Sequence, residues 1–274
     1  MANKKVLEKK LMEQDGVAVL TLNRPEKRNA LSKDLLQQIL DALEEIRESD
    51  HIRCVVTTGS GNSYSSGLDL YDLRESWTRR RRWYEESTVQ KIINVLRLMP
   101  QVTLAAVNGY CLGGGLALLN GHDLAIAAQS AKFGMPEIIR GSFGQTATST
   151  LFHTGIPVKK AFYIQITGRN LTADQAEKIG LVSEVVPDAA LMDTALGLAK
   201  EIATRNPTAL EHAKIAAYME RDVEFSKALR IDELVSYRMR SYTDPLGDVN
   251  GYLKSQKGGG SLSYQEREDK KKER

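Results

Sequence analysis

The residues Asn108-Gly109-Tyr110-Cys111-Leu112-Gly113-Gly114-Gly115 follow the apolar run Leu104-Ala105-Ala106-Val107 and lead into Leu116-Ala117-Leu118-Leu119-Asn120. A strand that stops at Asn-Gly, followed by a helix that opens on glycines, leaves main-chain N–H groups unpaired and uncovered by side chains. Such groups hydrogen-bond an anion or a polarised carbonyl oxygen, which is how an enolate or a tetrahedral oxyanion is stabilised. Ser66-Gly67-Leu68-Asp69 forms a second junction of the same kind. One glycine at a turn serves backbone geometry in most proteins. Two such junctions, each presenting an N–H, make an oxyanion site and read first as an enzyme.

Other chemistry is poorly supported. Cys54 and Cys111 are the only cysteines, both in apolar strand-like surroundings, so they are expected as buried free thiols and not as a disulfide. No spacing of Cys, His and carboxylates forms a zinc site. The net charge of +3 is too small to argue for nucleic acid, and much of it is local, in the arginines at 79–82 and the lysines at 270–272. No apolar run approaches the ~18 residues a membrane span needs. Residues 1–10 are polar and basic, without the apolar core of a signal peptide, which makes the cytoplasm the default location.

The elements that must position the junctions are those of an α/β chain. At 274 residues, 42% hydrophobic and 27% charged, it has the length and balance of a soluble globular protein. Residues 5–13 and 16–23 read as two strands about the turn Gln14-Asp15-Gly16, followed by a loop over 24–30. Ser32 caps an expected helix of about 17 residues, with Leu35, Leu36, Ile39, Leu40, Leu43 and Ile46 at helical spacing. Residues 54–58, 104–107, 124–128, 132–134 and 182–186 read as short strands, and 85–99 and 116–120 as helices. The spacing of strands, about 20–50 residues, is that of repeated strand–turn–helix units. After Pro187 the strands cease. The expected organisation is an α/β core over 1–187, a helical module over 188–257 (helices at 188–204, 207–220 and 222–241) and a polar tail over 258–274.

With these blocks in place the chain resembles the crotonase (enoyl-CoA hydratase/isomerase) superfamily. The resemblance is carried by Leu22-Asn23-Arg24-Pro25 with Asn29-Ala30-Leu31, by Ser65-Ser66-Gly67-Leu68-Asp69-Leu70, and by residues 106–115 with Asp123-Leu124-Ala125-Ile126-Ala127. Phe133-Gly134-Met135-Pro136-Glu137, Thr167-Gly168 and residues 176–186 continue it, in order, over about residues 16–220. It implies a spiral of repeated ββα units and a C-terminal helical trimerisation module, with trimers pairing into hexamers. It also implies an acyl-CoA thioester substrate whose oxygen accepts from the N–H groups of Leu68 and Gly114, and no cofactor, coenzyme A entering as part of the substrate. Glu137 falls at the family's catalytic glutamate. Beside Phe133, Ile138 and Ile139 its carboxyl is expected to have a raised pKa and to shuttle protons. Ser66 and Gly115 belong to the two junction motifs and are read as substrate-binding. In the loop over 24–30, Arg24, Lys27 and Arg28 are read toward the phosphates and the backbone near Asn29-Ala30 toward the adenine. Lys257 is read as a basic residue reaching coenzyme A.

Two departures from the family pattern narrow the chemistry. Where two-glutamate hydratases carry their other glutamate, this chain has Ala117. A single glutamate suffices to move a proton between the α- and γ-carbons of an enoyl thioester, or to hydrate an unusual acyl group. Hydroxycinnamoyl-CoA hydratase-lyases share that pattern, but Tyr71 does not match the spacing of their tyrosine. The second departure is Gly141-Ser142-Phe143-Gly144-Gln145-Thr146-Ala147-Thr148-Ser149. It resembles aromatic acyl-CoA dehalogenases, with Gln145 where those place a nucleophilic aspartate. An amide is not a carboxylate nucleophile, so dehalogenation is disfavoured, and Gln145 is either a group orienting water or substrate or a polar helix start. His122 and His153 read as structural, as do Asp69 and Asp123. Trp77, Trp83 and Tyr84 fit an acyl-pocket wall and one buried face of a surface helix equally well. Two alternatives stay open beside the single-base enzyme: a hydrolase or carbon–carbon lyase acting on an alicyclic or aromatic acyl-CoA, and an acyl-CoA-binding trimer that has lost catalysis.

Overall fold

A computed structural model of the chain describes residues 5–77, 86–242, 249–250 and 252–253, with the backbone alone at 75–77. The chain opens with a hairpin of β1 (Leu7–Met12) and β2 (Val17–Leu22), followed by α1 (Lys33–Arg47). Three ββα units come next. β3 (Cys54–Gly59) and β4 (Ser63–Ser65) lead to α2 (Leu70–Trp77) and α3 (Thr88–Leu98). β5 (Val102–Val107) and β6 (Tyr110–Leu112) lead to α4 (Gly114–Asn120), and β7 (Leu124–Ala128) and β8 (Lys132–Gly134) lead to α5 (Gln145–Phe152) and α6 (Val158–Thr167). The remaining elements are β9 (Leu171–Thr172), α7 (Ala173–Lys178), β10 (Glu184–Val186), α8 (Leu191–Ala203), α9 (Pro207–Glu220) and α10 (Phe225–Arg240).

Each unit sends its first strand into one sheet and its second into another. The larger sheet runs β1-β2-β3-β5-β7-β10, parallel except for the opening hairpin. The smaller runs β4-β6-β8-β9, antiparallel only at β8–β9. Successive units therefore stack as turns of a spiral, which brings the β4–α2 and β6–α4 loops side by side.

Alternation along the strands explains the layers, because successive side chains face opposite ways. Leu20, Val55, Ala105 and Ala127 point into the main core with α1, α3 and α4. Val19, Cys54, Val56, Leu104, Ala106 and Ile126 point the other way, under Leu191, Ala195 and Ala199 of α8. With both faces covered, these strands read as continuous apolar runs. α8 thus packs on the sheet, whereas α9 and α10 pack against each other and α10 buries no residue.

The expected elements recur with shifted ends. α1 starts at the expected cap, Ser32 Oγ accepting from Leu35 N at 3.3 Å, and ends at Arg47. α3 starts later than expected, where Ser87 and Gln90 form a reciprocal capping box. α4 begins two residues earlier, with Gly114 and Gly115 inside the helix. Cys54 and Cys111 are free and buried, and burial pushes the Cys54 thiol up to about 12. Among the described residues no helix is long and apolar enough to cross a membrane. Lys257, Trp83, Tyr84, the arginines at 79–82 and the tail over 258–274 lie outside the described residues, as does the side chain of Trp77.

Candidate active site

The two glycine junctions meet. After β4 the chain makes a single parallel bridge between Leu31 and Leu68: Leu31 N donates to Gly67 O at 2.8 Å, and Asp69 N donates to Leu31 O at 3.1 Å. The alternation of a strand turns the N–H of Leu68 away from that bridge. Gly114 is the first residue of α4, so its N–H has no acceptor within the helix. A Cβ built on Gly114 would lie 3.2 Å from Leu68 N, and one on Gly67 would lie 3.2 Å from Gly114 N. The two backbones are in contact. Among the described residues neither the Leu68 nor the Gly114 N–H donates to an acceptor of the protein. Gly115 packs on Ser65, whose Cβ is 2.9 Å from the position a Cβ of Gly115 would take. Ser65 Oγ in turn accepts from Gly67 N at 3.2 Å and donates to Asn29 O at 2.8 Å.

Glu137 lies in a 3-10 turn over Pro136–Arg140. Its carboxyl group is covered by two glycines in the left-handed half of conformational space, Gly113 at φ 51 and Gly144 at φ 66. A Cβ on Gly113 would overlap Glu137 Oε1, and one on Gly144 would lie 3.0 Å from Glu137 Cδ. Oε2 is buried and has no hydrogen-bond partner among the described residues. Burial pushes the pKa of Glu137 above the ordinary value of 4.5, opposed by its own backbone N–H and by Arg140. Gly113 joins this carboxyl to the junction pair, because the next residue is Gly114. Ala117 is fully buried in α4, and Gln145, directly after Gly144, is exposed. The described residues hold no cluster of three or more His, Cys, Asp or Glu that would suit a metal.

The loop over 24–30 is stapled to the first junction. Ser66 N donates to Arg28 O at 2.9 Å and Ser66 Oγ to Lys27 O at 3.3 Å. Lys27 and Arg28 are exposed, with the Arg28 guanidinium 6.0 Å from the centre of the Tyr110 ring, and Ala30 is half-buried. Arg24 does not face solvent phosphate as the basic loop implied. Its guanidinium pairs with Asp69 Oδ2 at 3.0 and 3.1 Å and donates to Ala30 O. Asp69 also accepts from Tyr71 N at 3.1 Å and so caps α2, the structural role expected of it.

Two asparagines do more than sequence reasoning assigned them. Asn29, at φ 53, donates to Ser60 O and Ser63 O and accepts from Arg24 N. Asn108 accepts from Gly59 N and donates to Gly59 O and Gly61 O. Their signal was an amide beside a tight turn, where it substitutes for missing backbone partners. Asp123 is structural: it accepts from Thr103 N at 2.7 Å and Tyr218 OH at 2.9 Å and pairs with the buried Lys214 at 2.8 Å. His122 is buried and hydrogen-bonded, whereas His153 is exposed beside Asp222.

This spiral of ββα units with a helical C-terminal region is the fold of the crotonase superfamily. The chain matches the solved enoyl-CoA hydratase of Mycobacterium smegmatis with a TM-score of 0.82 at 28% identity, over 91% of this chain and 96% of that one. The chain belongs to the enoyl-CoA hydratase/isomerase family, whose model matches residues 12–253. It is 32% identical over 253 residues to the short-chain-enoyl-CoA hydratase of Clostridium acetobutylicum, covering 90% of this chain and 95% of the relative. It is 33% identical over 205 residues to the hydroxycinnamoyl-CoA hydratase-lyase of Pseudomonas fluorescens, covering 73% and 74%.

Proposed function

We propose that this protein transforms unsaturated acyl thioesters of coenzyme A by proton transfer through a single carboxyl group, Glu137. The observation that carries this reading is the environment of that group. It is buried against Gly113 and Gly144, one oxygen lacks a partner, its pKa is raised, and position 117 supplies no second carboxylate. The thioester oxygen sits between the N–H groups of Leu68 and Gly114, which donate to it as enolate charge develops there. In isomerisation, Glu137 takes a proton from the α-carbon of a 3-enoyl thioester. The electron pair moves into a dienolate held at the oxygen, and the same carboxyl returns the proton to the γ-carbon. In hydration, Glu137 alone takes a proton from the water as its oxygen bonds to the β-carbon, and the same carboxyl delivers that proton to the α-carbon as the enolate collapses. Lys27, Arg28 and Lys257 meet the phosphates of coenzyme A, the backbone at Ala30 meets the adenine, and Ser66 and Gly115 shape the thioester end. Gln145 orients water or a substrate oxygen at the mouth of the site. The active form is a homotrimer or hexamer in the cytoplasm, built through α9, which exposes Met219, and α10, which exposes Phe225, Leu229 and Tyr237.

A screen of 2-enoyl, 3-enoyl and aromatic acyl-CoA esters by mass spectrometry in light and heavy water separates the reactions. A gain of one water identifies hydration. Conversion of a 3-enoyl ester into its 2-enoyl isomer at unchanged mass, resolved by chromatography, identifies isomerisation, and release of free coenzyme A identifies hydrolysis. The hydratase-lyase among the relatives makes aromatic esters the second class to test. Full turnover by Glu137→Gln on the best ester would overturn the assignment.

A further inference from the structure

A chain of buried polar groups links β4, β3 and the C-terminal end of α4. Tyr64, Thr57 and His122 are 0%, 3% and 7% exposed. Tyr64 OH lies 2.8 Å from Thr57 Oγ1, Thr57 Oγ1 lies 2.8 Å from His122 Nε2, and His122 Nδ1 lies 2.8 Å from Leu118 O. The direction of every bond follows. A carbonyl only accepts, so Nδ1 carries the proton. The neutral ring then accepts at Nε2 from the Thr57 hydroxyl, and the Thr57 oxygen accepts from Tyr64.

The two ends of this chain belong to the two junctions. Tyr64 lies in β4, four residues before Leu68. His122 caps the C-terminal end of α4, its backbone N donating to Leu119 O at 3.0 Å, and Gly114 opens the same helix. Both side chains converge on one hydroxyl of β3. At seven residues α4 is a lever only about 10 Å long, so displacement at His122 is felt at Gly114. The other end has no slack, because Gly115 is packed on Ser65 and Gly114 on Leu68. Three apolar residues of similar shape would fill this space without needing any fixed arrangement, whereas a satisfied polar chain holds one.

Resting on the reading of Leu68 and Gly114 as the thioester donors, we propose that Tyr64, Thr57 and His122 are positioning residues that set the separation and aim of those two N–H groups. The test uses acetoacetyl-CoA, a β-keto thioester whose enolate absorbs in the near ultraviolet, and butyryl-CoA, which reports binding without enolisation. In Thr57→Val the enolate band of bound acetoacetyl-CoA is expected to fall about tenfold, as a misplacement well under 1 Å demands. Butyryl-CoA affinity stays within about twofold, because ground-state binding depends on the aim less than the enolate does. Thr57→Ser restores the band. Tyr64→Phe, which leaves the Thr57–His122 bond intact, falls about threefold on the same misplacement scale and carries the test should Thr57→Val not fold. A full band in Thr57→Val, or in Tyr64→Phe where only that variant folds, overturns the inference alone. Parallel loss of butyryl-CoA affinity, or no recovery in Thr57→Ser, overturns it too, by showing a merely structural role. A wild-type protein that binds acetoacetyl-CoA without the band overturns the donor reading and this inference together.

Discussion

His122 makes the stability of the fold depend on acid in a calculable way. Buried between Thr57 and the end of α4, its ring is held neutral, and desolvation lowers its pKa from 6.5 to about 4. Asp123 and the Leu118 carbonyl pull the other way, and Lys214 adds to the lowering. In the unfolded chain the imidazole regains its ordinary affinity for a proton. Above pH 6.5 both states are neutral and the shift has no effect. Below it the unfolded state binds the proton first, so stability falls as pH falls, down to the folded value near 4. Integrating between those two values gives a loss of about 2 kcal/mol from pH 7.5 to 5.0 and about 3 kcal/mol by the time both states are protonated. For a chain of this size, 2 kcal/mol lowers the melting temperature by roughly 3–4 °C. Thermal melts of the wild type and His122→Gln at both pH values and one protein concentration isolate the effect. The variant is expected to be less stable throughout, but only the wild type should show the additional 2 kcal/mol loss. Equal losses in the two proteins, within about 0.5 kcal/mol, would refute a ring held neutral in the core, because the linkage requires a difference.

Three further outcomes are expected. Because burial raises the pKa of Glu137, the acid limb of kcat/KM, below which the base is protonated, should lie above the ordinary carboxylate value of 4.5; Glu137→Gln should abolish that limb and lower kcat about a thousandfold, read from pH–rate profiles. Gly113→Ala should lower kcat about a hundredfold, measured beside a circular dichroism spectrum, because its methyl group displaces the Glu137 carboxyl and takes an unfavourable positive φ. Lys214→Met should destabilise the fold by about 3–5 kcal/mol in thermal melts. The ammonium uses its protons on Leu96 O, Gln101 O and Asp123 Oδ2; a thioether takes the donor from both carbonyls and leaves Asp123, still held by Thr103 and Tyr218, a largely buried charge without its counter-ion.

The junctions were legible in the sequence because their signal is local: an apolar strand run, then glycine, then a helix-forming run within a dozen residues. The larger sheet was legible for the same reason, its central strands being short runs of buried apolar residues. What joins distant residues was not. Arg24 read as a cation for phosphate because its neighbours are basic, and the carboxylate that neutralises it is 45 positions away. The start of α4 was misplaced because glycine is a poor helix former, whereas here the close approach to Ser65 selects it. Thr57 read only as part of a short strand and His122 only as a structural residue. Their bond spans 65 positions and no periodicity reports it. Glu137 was singled out by its motif, but one of the two glycines that cover it, Gly144, lies in the segment that departs from the family pattern.

The environment of Glu137 and the alanine at 117 bear on the same chemical question. A group that must remove a proton and return it within one turnover performs best when both of its protonation states are accessible at the working pH. Donors to a carboxylate stabilise the charged form and make it a reluctant base, while a second carboxylate nearby raises the pKa and divides the labour of acid and base between two groups. Glu137 has no second carboxylate at position 117, and its own backbone N–H and Arg140 only partly offset its burial. One oxygen is pressed on Gly113 and the other meets no donor, so burial dominates. On the proposed reading, the negative charge left on the thioester is then met by the backbone N–H groups of Leu68 and Gly114, whose dipoles do not titrate. Under the proposed reaction, the acid–base work and the charge stabilisation are assigned to different parts of the chain. The carboxyl is therefore tuned chiefly by packing, and alanine at 117 supplies no second carboxylate to couple to it.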